Sequence, residues 1–192
     1  PVIPDDLTSV RTTADGLSAA SLSLDPTITT QTGTDASGNT VSYLAVTGED
    51  PLSIPGQPIL PRVTYQVGPA PTGQVARGAL ITGLTSTRSG IVTPAIAQAS
   101  VGVTETAASR ASVAFPSTFA TMTTQQTPTG PIDLLVVTPG RVEIPAGGQG
   151  VLESFDHLDI DVVYGDSAST DITAPLIQSV EERDGYFTVR AD

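Results

Sequence analysis

The chain has 192 residues and a net charge of −12, with 20 acidic residues against 8 basic ones, so it lacks the basic surface that nucleic-acid binding requires. It contains no Cys, which excludes disulfides, thiolate metal ligands and a Cys nucleophile within these residues. No apolar run approaches the ~20 residues of a membrane span. The 18 Gly and 16 Pro residues, with abundant Thr, favour short strands and turns over helices.

The first predicted elements are two strands on either side of a turn. Apolar and small polar residues alternate over residues 17–24, which predicts a half-buried strand. A cluster of turn-forming residues follows over residues 35–39, and apolar side chains then alternate over residues 41–46. We expect these two strands to lie side by side as a hairpin.

Three prolines mark residues 53–67, namely Pro55, Pro58 and Pro61. Each proline fixes φ and lacks an amide hydrogen, so neither a helix nor a central strand can run through them. Val63, Tyr65 and Val67 then alternate with polar residues, which indicates a half-buried strand. The segment therefore predicts a rigid crossing that leads into a core strand, with Gly56 allowing a sharp bend.

The second half of the chain continues with short strands. Residues 79–84 and 90–92 predict two strands around a polar loop at residues 85–89. The Ala-rich residues 93–114 are the only place where a helix is plausible, although the Val and Thr residues there favour a strand. Residues 134–137 and 141–144 predict strands on either side of a turn. Residues 157–164 show the clearest alternation in the chain, with an apolar face and a largely polar one.

The pattern as a whole predicts an all-β protein. Many short strands separated by turns are typical of an antiparallel β-sandwich of jelly-roll or Greek-key type, here with at most one short helix. The core must be built mostly from aliphatic side chains, because aromatic residues make up 4% of the chain.

The residues around the proline crossing carry a family resemblance. A strand pair, the passage Ser-Ile-Pro-Gly-Gln-Pro-Ile-Leu-Pro at residues 53–61 and a following strand resemble the N-terminal propeptide domain of gingipain-type cysteine peptidases. Phe115-Pro116, residues 134–139 and residues 150–165 fit the same order, so the resemblance covers about residues 8–166. It implies a non-catalytic protein-binding module without a cofactor, which masks or chaperones a neighbouring domain.

The composition and the tail suggest the setting of such a module. All eight basic residues are Arg, and a Lys-free chain rich in Thr, Ser, Gly and Ala is typical of an exported bacterial protein, either secreted or at the cell surface. We expect a propeptide-like domain over residues 1–166. Residues 167–192 form a linker and two strands that resemble the start of a bacterial immunoglobulin-like module.

An immunoglobulin-like sandwich needs ~100 residues, so the tail cannot fold as one alone. We expect either that the chain is cut inside a larger protein or that these strands pack elsewhere. The cut form predicts an exposed hairpin that pairs with a neighbouring chain or is covered by the first domain. The tail also supports an alternative function, a structural spacer or adhesion module.

His157, Asp159 and Asp161 are the most suggestive candidates for chemistry, because alternate residues of a strand share one face. An imidazole beside two carboxylates could bind a divalent cation or act as an acid–base pair, which leaves a small hydrolase as a third hypothesis. Alternate side chains on a strand lie about 6.5–7 Å apart, too far to converge on one ion without another segment. The spacing therefore favours a solvated outer face.

Two arginines are the candidates for contact with a partner. In the propeptides that the chain resembles, a basic side chain offered to the peptidase cleft helps to keep latency, which suggests Arg88 or Arg110 on predicted loops. Neither residue aligns with a family motif. The alternative is that both are exposed arginines that contribute only to solubility.

Overall fold

Extended backbone dominates this protein, as its Thr, Val, Gly and Pro content predicts. The computed structural model describes residue 7 and residues 9–12, 18–97, 113–144, 149–168, 177–183 and 186–191. The strands of these residues are β1 (Val10–Thr12), β2 (Ser18–Leu24), β3 (Ile28–Thr34), β4 (Thr40–Val46), β5 (Pro51–Leu52), β6 (Leu60–Pro61), β7 (Val63–Gln66), β8 (Gln74–Val92), β9 (Val113–Phe115), β10 (Ala120–Thr127), β11 (Gly130–Val137), β12 (Gly140–Ile144), β13 (Gly150–Asp166), β14 (Ile177–Arg183) and β15 (Tyr186–Ala191).

The largest sheet has six strands and is organised around β13. One edge of β13 pairs with β8 along its whole length, from Gly150 with Val92 to Asp166 with Gln74. The other edge is shared, because β12 pairs with its first half and β2 with its second half. β1 extends the sheet beyond β2, and β9 extends it beyond β12. All of these pairs are antiparallel, so the predicted all-β class with antiparallel pairing is confirmed.

A second sheet of three strands, in the order β10, β11, β7, covers the core face of the large sheet. Phe155 of β13 is 1% exposed, and its ring meets Phe119 edge-to-face with centroids 4.7 Å apart. Around this pair lies an aliphatic core that is formed mainly by Leu22, Leu135, Val137, Leu158, Ile160 and Val162. From Leu158 to Tyr164, alternation directs every second side chain of β13 into the sandwich, as the sequence predicts, and the register shift between Phe155 and His157 lets Phe155 point into the same core.

The proline crossing begins with a tight turn and is tied to the segment after β8. The amide of Gln57 donates to the carbonyl of Ile54 at 2.9 Å, and Gly56 has a φ of 77°, which matches a type II turn with Pro55 in its second position. The amide of Ile59 then donates to the carbonyl of Ala95 at 2.9 Å. The predicted crossing and the strand after it are confirmed.

A second, smaller core lies beneath the crossing. Leu60 is fully buried there and packs with a cluster of aliphatic side chains from β4, β12 and β13, namely Leu44, Val142, Ile144 and Leu152. The long strand β13 therefore contributes to both cores. The four register shifts in its pairing with β8 are the irregularities by which such a long ribbon bends and twists.

Two predictions are wrong, one about the partner of β4 and one about a loop. The hairpin of β4 is made with β3, which the sequence analysis did not predict, whereas the predicted partner β2 pairs with β1 and β13. The predicted loop at residues 85–89 is part of the continuous strand β8. In both cases the polar sequence of an exposed strand resembles a loop, and only pairing with a neighbour makes it extended.

The remaining predictions concern the Ala-rich segment and the tail. Residues 93–97 are extended and joined by bridges to Ser42 and Pro58, whereas residues 98–112 lie outside the described part, so the helix prediction falls mostly on residues that are not described. In the tail, β14 and β15 form an antiparallel hairpin.

Candidate protein-interaction site

Among the strands that the structure describes, β8 has the longest edge without a hydrogen-bonded partner strand, and β10 of the second sheet lies close to part of this strand. Every strand pair that includes β8 joins it to β13, and none of its residues is buried. Four aliphatic side chains on β8 are exposed, namely Val75 (38%), Leu80 (58%), Leu84 (41%) and Ile91 (74%). An edge of this kind offers unpaired backbone donors and acceptors to an extended segment of another protein.

Arg88 lies on this strand and not on a loop, so the predicted loop position is wrong. Its guanidinium lies 3.5 Å from a carboxylate oxygen of Glu143 and 3.6 Å from one of Glu153, and its side chain is 54% exposed. The charge is therefore partly balanced within the sheet while the side chain remains accessible. Arg110, the second predicted arginine, lies outside the described residues.

Glu153 joins three strands and was not identified from the sequence. The residue is 7% exposed, accepts a hydrogen bond from Ser86 of β8 at 2.6 Å, and pairs with Arg141 of β12. Burial opposes ionisation of this carboxyl, but the hydrogen bonds from Ser86 and Arg141 outweigh it and lower its pKa. In the sequence, the only sign that Glu153 is buried is its position between the apolar residues Leu152 and Phe155. That position could not reveal Ser86 and Arg141 as its partners.

His157 and Asp159 do meet, together with an aspartate that the sequence analysis did not select. Nδ1 of His157 lies 2.8 Å from Oδ1 of Asp25, and Nε2 lies 3.2 Å from Oδ2 of Asp159. The hydrogen bond to Asp25, and then that to Asp159, raises the pKa of His157. Hydrogen bonds from Ser23 and then from His157 lower the pKa of Asp159.

Asp161 lies apart from this group. Both of its carboxylate oxygens lie 3.0 Å from Nη2 of Arg11, and Ser21 donates to Oδ1 at 2.6 Å. The residue is 7% exposed, so the expected solvated face is wrong at this position. The reason is that β13 is a central strand whose outer face is covered by side chains of β1 and β2.

The outer face around these residues forms an open groove of about 550 Å³ between β1, β2, β13 and β8, lined by both polar and apolar side chains. Its carboxylates are already occupied by Arg11, Ser21, Ser23 and His157. Among the described residues there is no group of three or more His, Asp or Glu side chains with the geometry of a metal site. The arrangement forms cross-strand pairs, with both His157 nitrogens directed at carboxylates.

The described residues were also compared with what a membrane-spanning helix requires. Within the described ranges, no helix combines the length and the apolar character that crossing a bilayer requires.

Comparison with known proteins relates the fold to one group of structures. No protein-family model and no curated protein matches the chain. Among solved structures, one that addresses the zymogenic latency of gingipain K from Porphyromonas gingivalis matches with a TM-score of 0.57 and 15% identity, over 83% of this chain and 94% of that one. The complex of the RgpB pro- and mature domains of Porphyromonas gingivalis matches with a TM-score of 0.55 and 12% identity, over 83% and 86%. The chain therefore has a fold like that of the gingipain propeptides.

Proposed function

We propose that this chain is a non-catalytic module of an exported bacterial multidomain protein, which masks or chaperones a neighbouring catalytic domain by binding to it. The observation that supports the proposal is the fold likeness, which extends over 94% and 86% of the chains in the two gingipain structures. One of these structures is a complex of a pro-domain with its mature domain. The partner in this proposal is a protein, and no cofactor takes part.

The surface that we assign to this contact is the open edge of β8, defined as residues 74–92. Its backbone groups can add a strand from the partner, and Leu80 and Ile91 supply apolar area that the partner would cover. Arg88 lies on the same strand and is 54% exposed, so it can approach an acidic group of the partner. Because Arg88 already has two glutamates nearby, it adds specificity more than affinity.

The test uses the full chain and mature gingipain-type cysteine peptidases, with RgpB and gingipain K as the first probes. We expect the intact chain to bind a peptidase of this type and to reduce its turnover of a peptide substrate. Inhibition that is lost in Arg88→Ala or in Arg110→Ala would identify the arginine that approaches the cleft. If the folded chain neither binds nor inhibits any peptidase of the type, the masking function is refuted.

Matched variants test the surface separately. Leu80→Asp and Ile91→Asp place charges on the edge of β8 and should weaken binding at least tenfold, whereas Val10→Asp places one on the opposite strand β1 and should leave binding unchanged. Val10 is a fair control because it is also an exposed aliphatic residue, at 38%. Equal loss in all three variants would contradict the assignment to β8 without contradicting the function.

The tail supports a second candidate function, a structural spacer or adhesion module. We propose that residues 1–166 form the propeptide-like domain and that residues 167–192 begin a further module of immunoglobulin-like type. The observation that favours this division is that β14 and β15 pair with each other and, within the described residues, with no other strand. Removal of residues 167–192 should leave the unfolding temperature of the first domain within about 2 °C, and a larger fall would refute the division.

A further inference from the structure

Both ring nitrogens of His157 face carboxylate oxygens, Nδ1 that of Asp25 at 2.8 Å and Nε2 that of Asp159 at 3.2 Å. A neutral imidazole carries one N–H, so it donates to one carboxylate and turns a lone pair toward the other. A doubly protonated ring donates to both. The geometry therefore matches the imidazolium form, and loss of one proton leaves a carboxylate opposite a lone pair.

Asp159 is held in place by its neighbours on two other strands. Ser23 of β2 donates to its Oδ1 at 2.8 Å. On the opposite side its carboxylate lies over Gly83 of β8, where an added Cβ would be 2.5 Å from Oδ2. Gly83 leaves room for this carboxylate, and the hydrogen bond from Ser23 orients it, so that Asp159 presents Oδ2 as an acceptor to Nε2 of His157.

Asp25 is placed differently, because it lies where the chain leaves the large sheet. It follows the last residue of β2 and starts the three-residue connection, residues 25–27, to β3. Strand β3 belongs to the separate hairpin that it forms with β4. The Asp25 side chain is 84% exposed, so its contact with His157 can open without disturbing the core.

We propose that His157 is a pH-sensitive latch, whose protonated ring ties the connection at Asp25 to β13 and whose deprotonation loosens the β3–β4 hairpin from the large sheet. The hairpin keeps other attachments, because Ser42 of β4 exchanges two backbone hydrogen bonds of 2.8 Å with Thr93 and Ala95, and Leu44 of β4 and Ile28 of β3 pack in the second core. Release of the latch is therefore a local loosening at the β3 end. This device does not depend on the identity of the partner.

The other charged groups of the surrounding strands are engaged elsewhere. Their contacts are Arg11 of β1 with Asp161, Arg88 of β8 with Glu143 and Glu153, Arg141 of β12 with Glu153, Arg77 of β8 with the carbonyl of Asp166, and Asp156 of β13 with Thr87. Strand β2 has no charged residue, and β8 places Thr85 opposite His157. Asp25 and Asp159 are therefore the charges that control this ring.

The direction of the pH dependence follows from the sign of the shift. Asp25 and Asp159 raise the pKa of His157 above its ordinary value of 6.5. A group whose pKa is raised by folding stabilises the folded form fully below its unfolded value, and this contribution is lost as the pH rises through the raised value. The latch is therefore closed in mildly acidic solution and opens as the pH rises beyond the raised pKa.

The first test measures the pKa by NMR titration of the full chain, in which His157 is the only histidine and needs no assignment. We expect a pKa above 6.5 in the wild type and a lower one in Asp25→Asn and in Asp159→Asn. Asp156→Asn is the control, because this neighbouring carboxylate is bonded to Thr87 and its loss should shift the pKa far less. A wild-type pKa at or below 6.5, or one that Asp25→Asn does not change, would overturn the proposal.

The second test measures the latch itself by amide hydrogen exchange, corrected for the intrinsic pH dependence of exchange. We expect protection of β3 to fall as the pH rises through the measured pKa of His157, while protection of β10 and β11, which lie in the other sheet, stays constant. In His157→Gln the protection of β3 should not depend on pH. An equal pH dependence in the wild type and in this variant would show that His157 does not control the hairpin.

Discussion

Substitution of Gly140 by alanine tests how closely β4, β12 and β13 approach one another. A Cβ at this position would lie 2.7 Å from Cδ1 of Leu44 and 2.9 Å from the backbone carbonyl oxygen of Glu153. Leu44 is 2% exposed within the second core, and the carbonyl belongs to the ladder between β12 and β13, so neither atom can retreat freely. Overpacking of this kind costs about 1–3 kcal/mol.

Gly78→Ala is the matched control for this prediction. Gly78 also lies in a strand, but no heavy atom lies within 4 Å of the position that its Cβ would take. An added methyl group there restricts the unfolded chain and should be neutral or stabilise by up to about 1 kcal/mol. The two variants should therefore differ in free energy of unfolding by about 1–4 kcal/mol.

The assay is urea unfolding followed by far-UV circular dichroism, since the chain has no Trp. The midpoint for Gly140→Ala should fall with an unchanged slope, which indicates a loss of stability alone. In the background Leu44→Ala the same substitution should cost less, because the clash with Cδ1 is gone while that with the carbonyl remains. Equal midpoints for Gly140→Ala and Gly78→Ala would refute the close approach of the three strands.

Two further predictions concern β13. Phe155→Ala should lower the free energy of unfolding by about 3–5 kcal/mol. A double-mutant cycle with Phe119→Ala in the same urea assay should show a coupling free energy of about 0.5–1.5 kcal/mol. A coupling of zero would contradict the contact between the two rings. Glu153 has a pKa below its ordinary value of 4.5, so it stabilises the fold above that pH and this contribution is lost as the pH falls through the lowered pKa. The urea midpoint of Glu153→Gln should accordingly be lower than that of the wild type at neutral pH, and the two midpoints should converge in acid. A difference between the two midpoints that stays constant across this pH range would count against the ion pair with Arg141.

Local patterns were sufficient to predict the strands whose side chains alternate. β2 and β7 were predicted within a residue or two, because a half-buried strand must alternate apolar and polar side chains, whereas the pattern over residues 134–137 and 157–164 identified only part of β11 and of β13. The Asp35 turn was also predicted, and Asp35 accepts hydrogen bonds from the amides of Ser37 and Asn39. Strand β3 was not predicted, since Ile28–Thr34 is mostly exposed and has no such alternation.

At the candidate site, the sequence predicted which residues share a strand but not their partners on other strands. His157 and Asp159 were correctly placed on one face of a strand, but Asp25 lies 132 residues away from His157 and nothing near it marked it as a partner. Arg11, which pairs with Asp161, is 150 residues away. The register of β13 against β2, and of β2 against β1, brings these groups together.

The sequence by itself determined the all-β class, the positions of most strands and the rigid proline crossing. The reason is that the alternation of apolar side chains, the prolines and the glycines each constrain the backbone within a few residues. Only the tertiary structure decided which strands are neighbours, that β8 leaves an open edge, and that His157 lies between two carboxylates. Strand pairing is made by hydrogen bonds between segments far apart in the chain, and such bonds leave no local trace in composition or spacing.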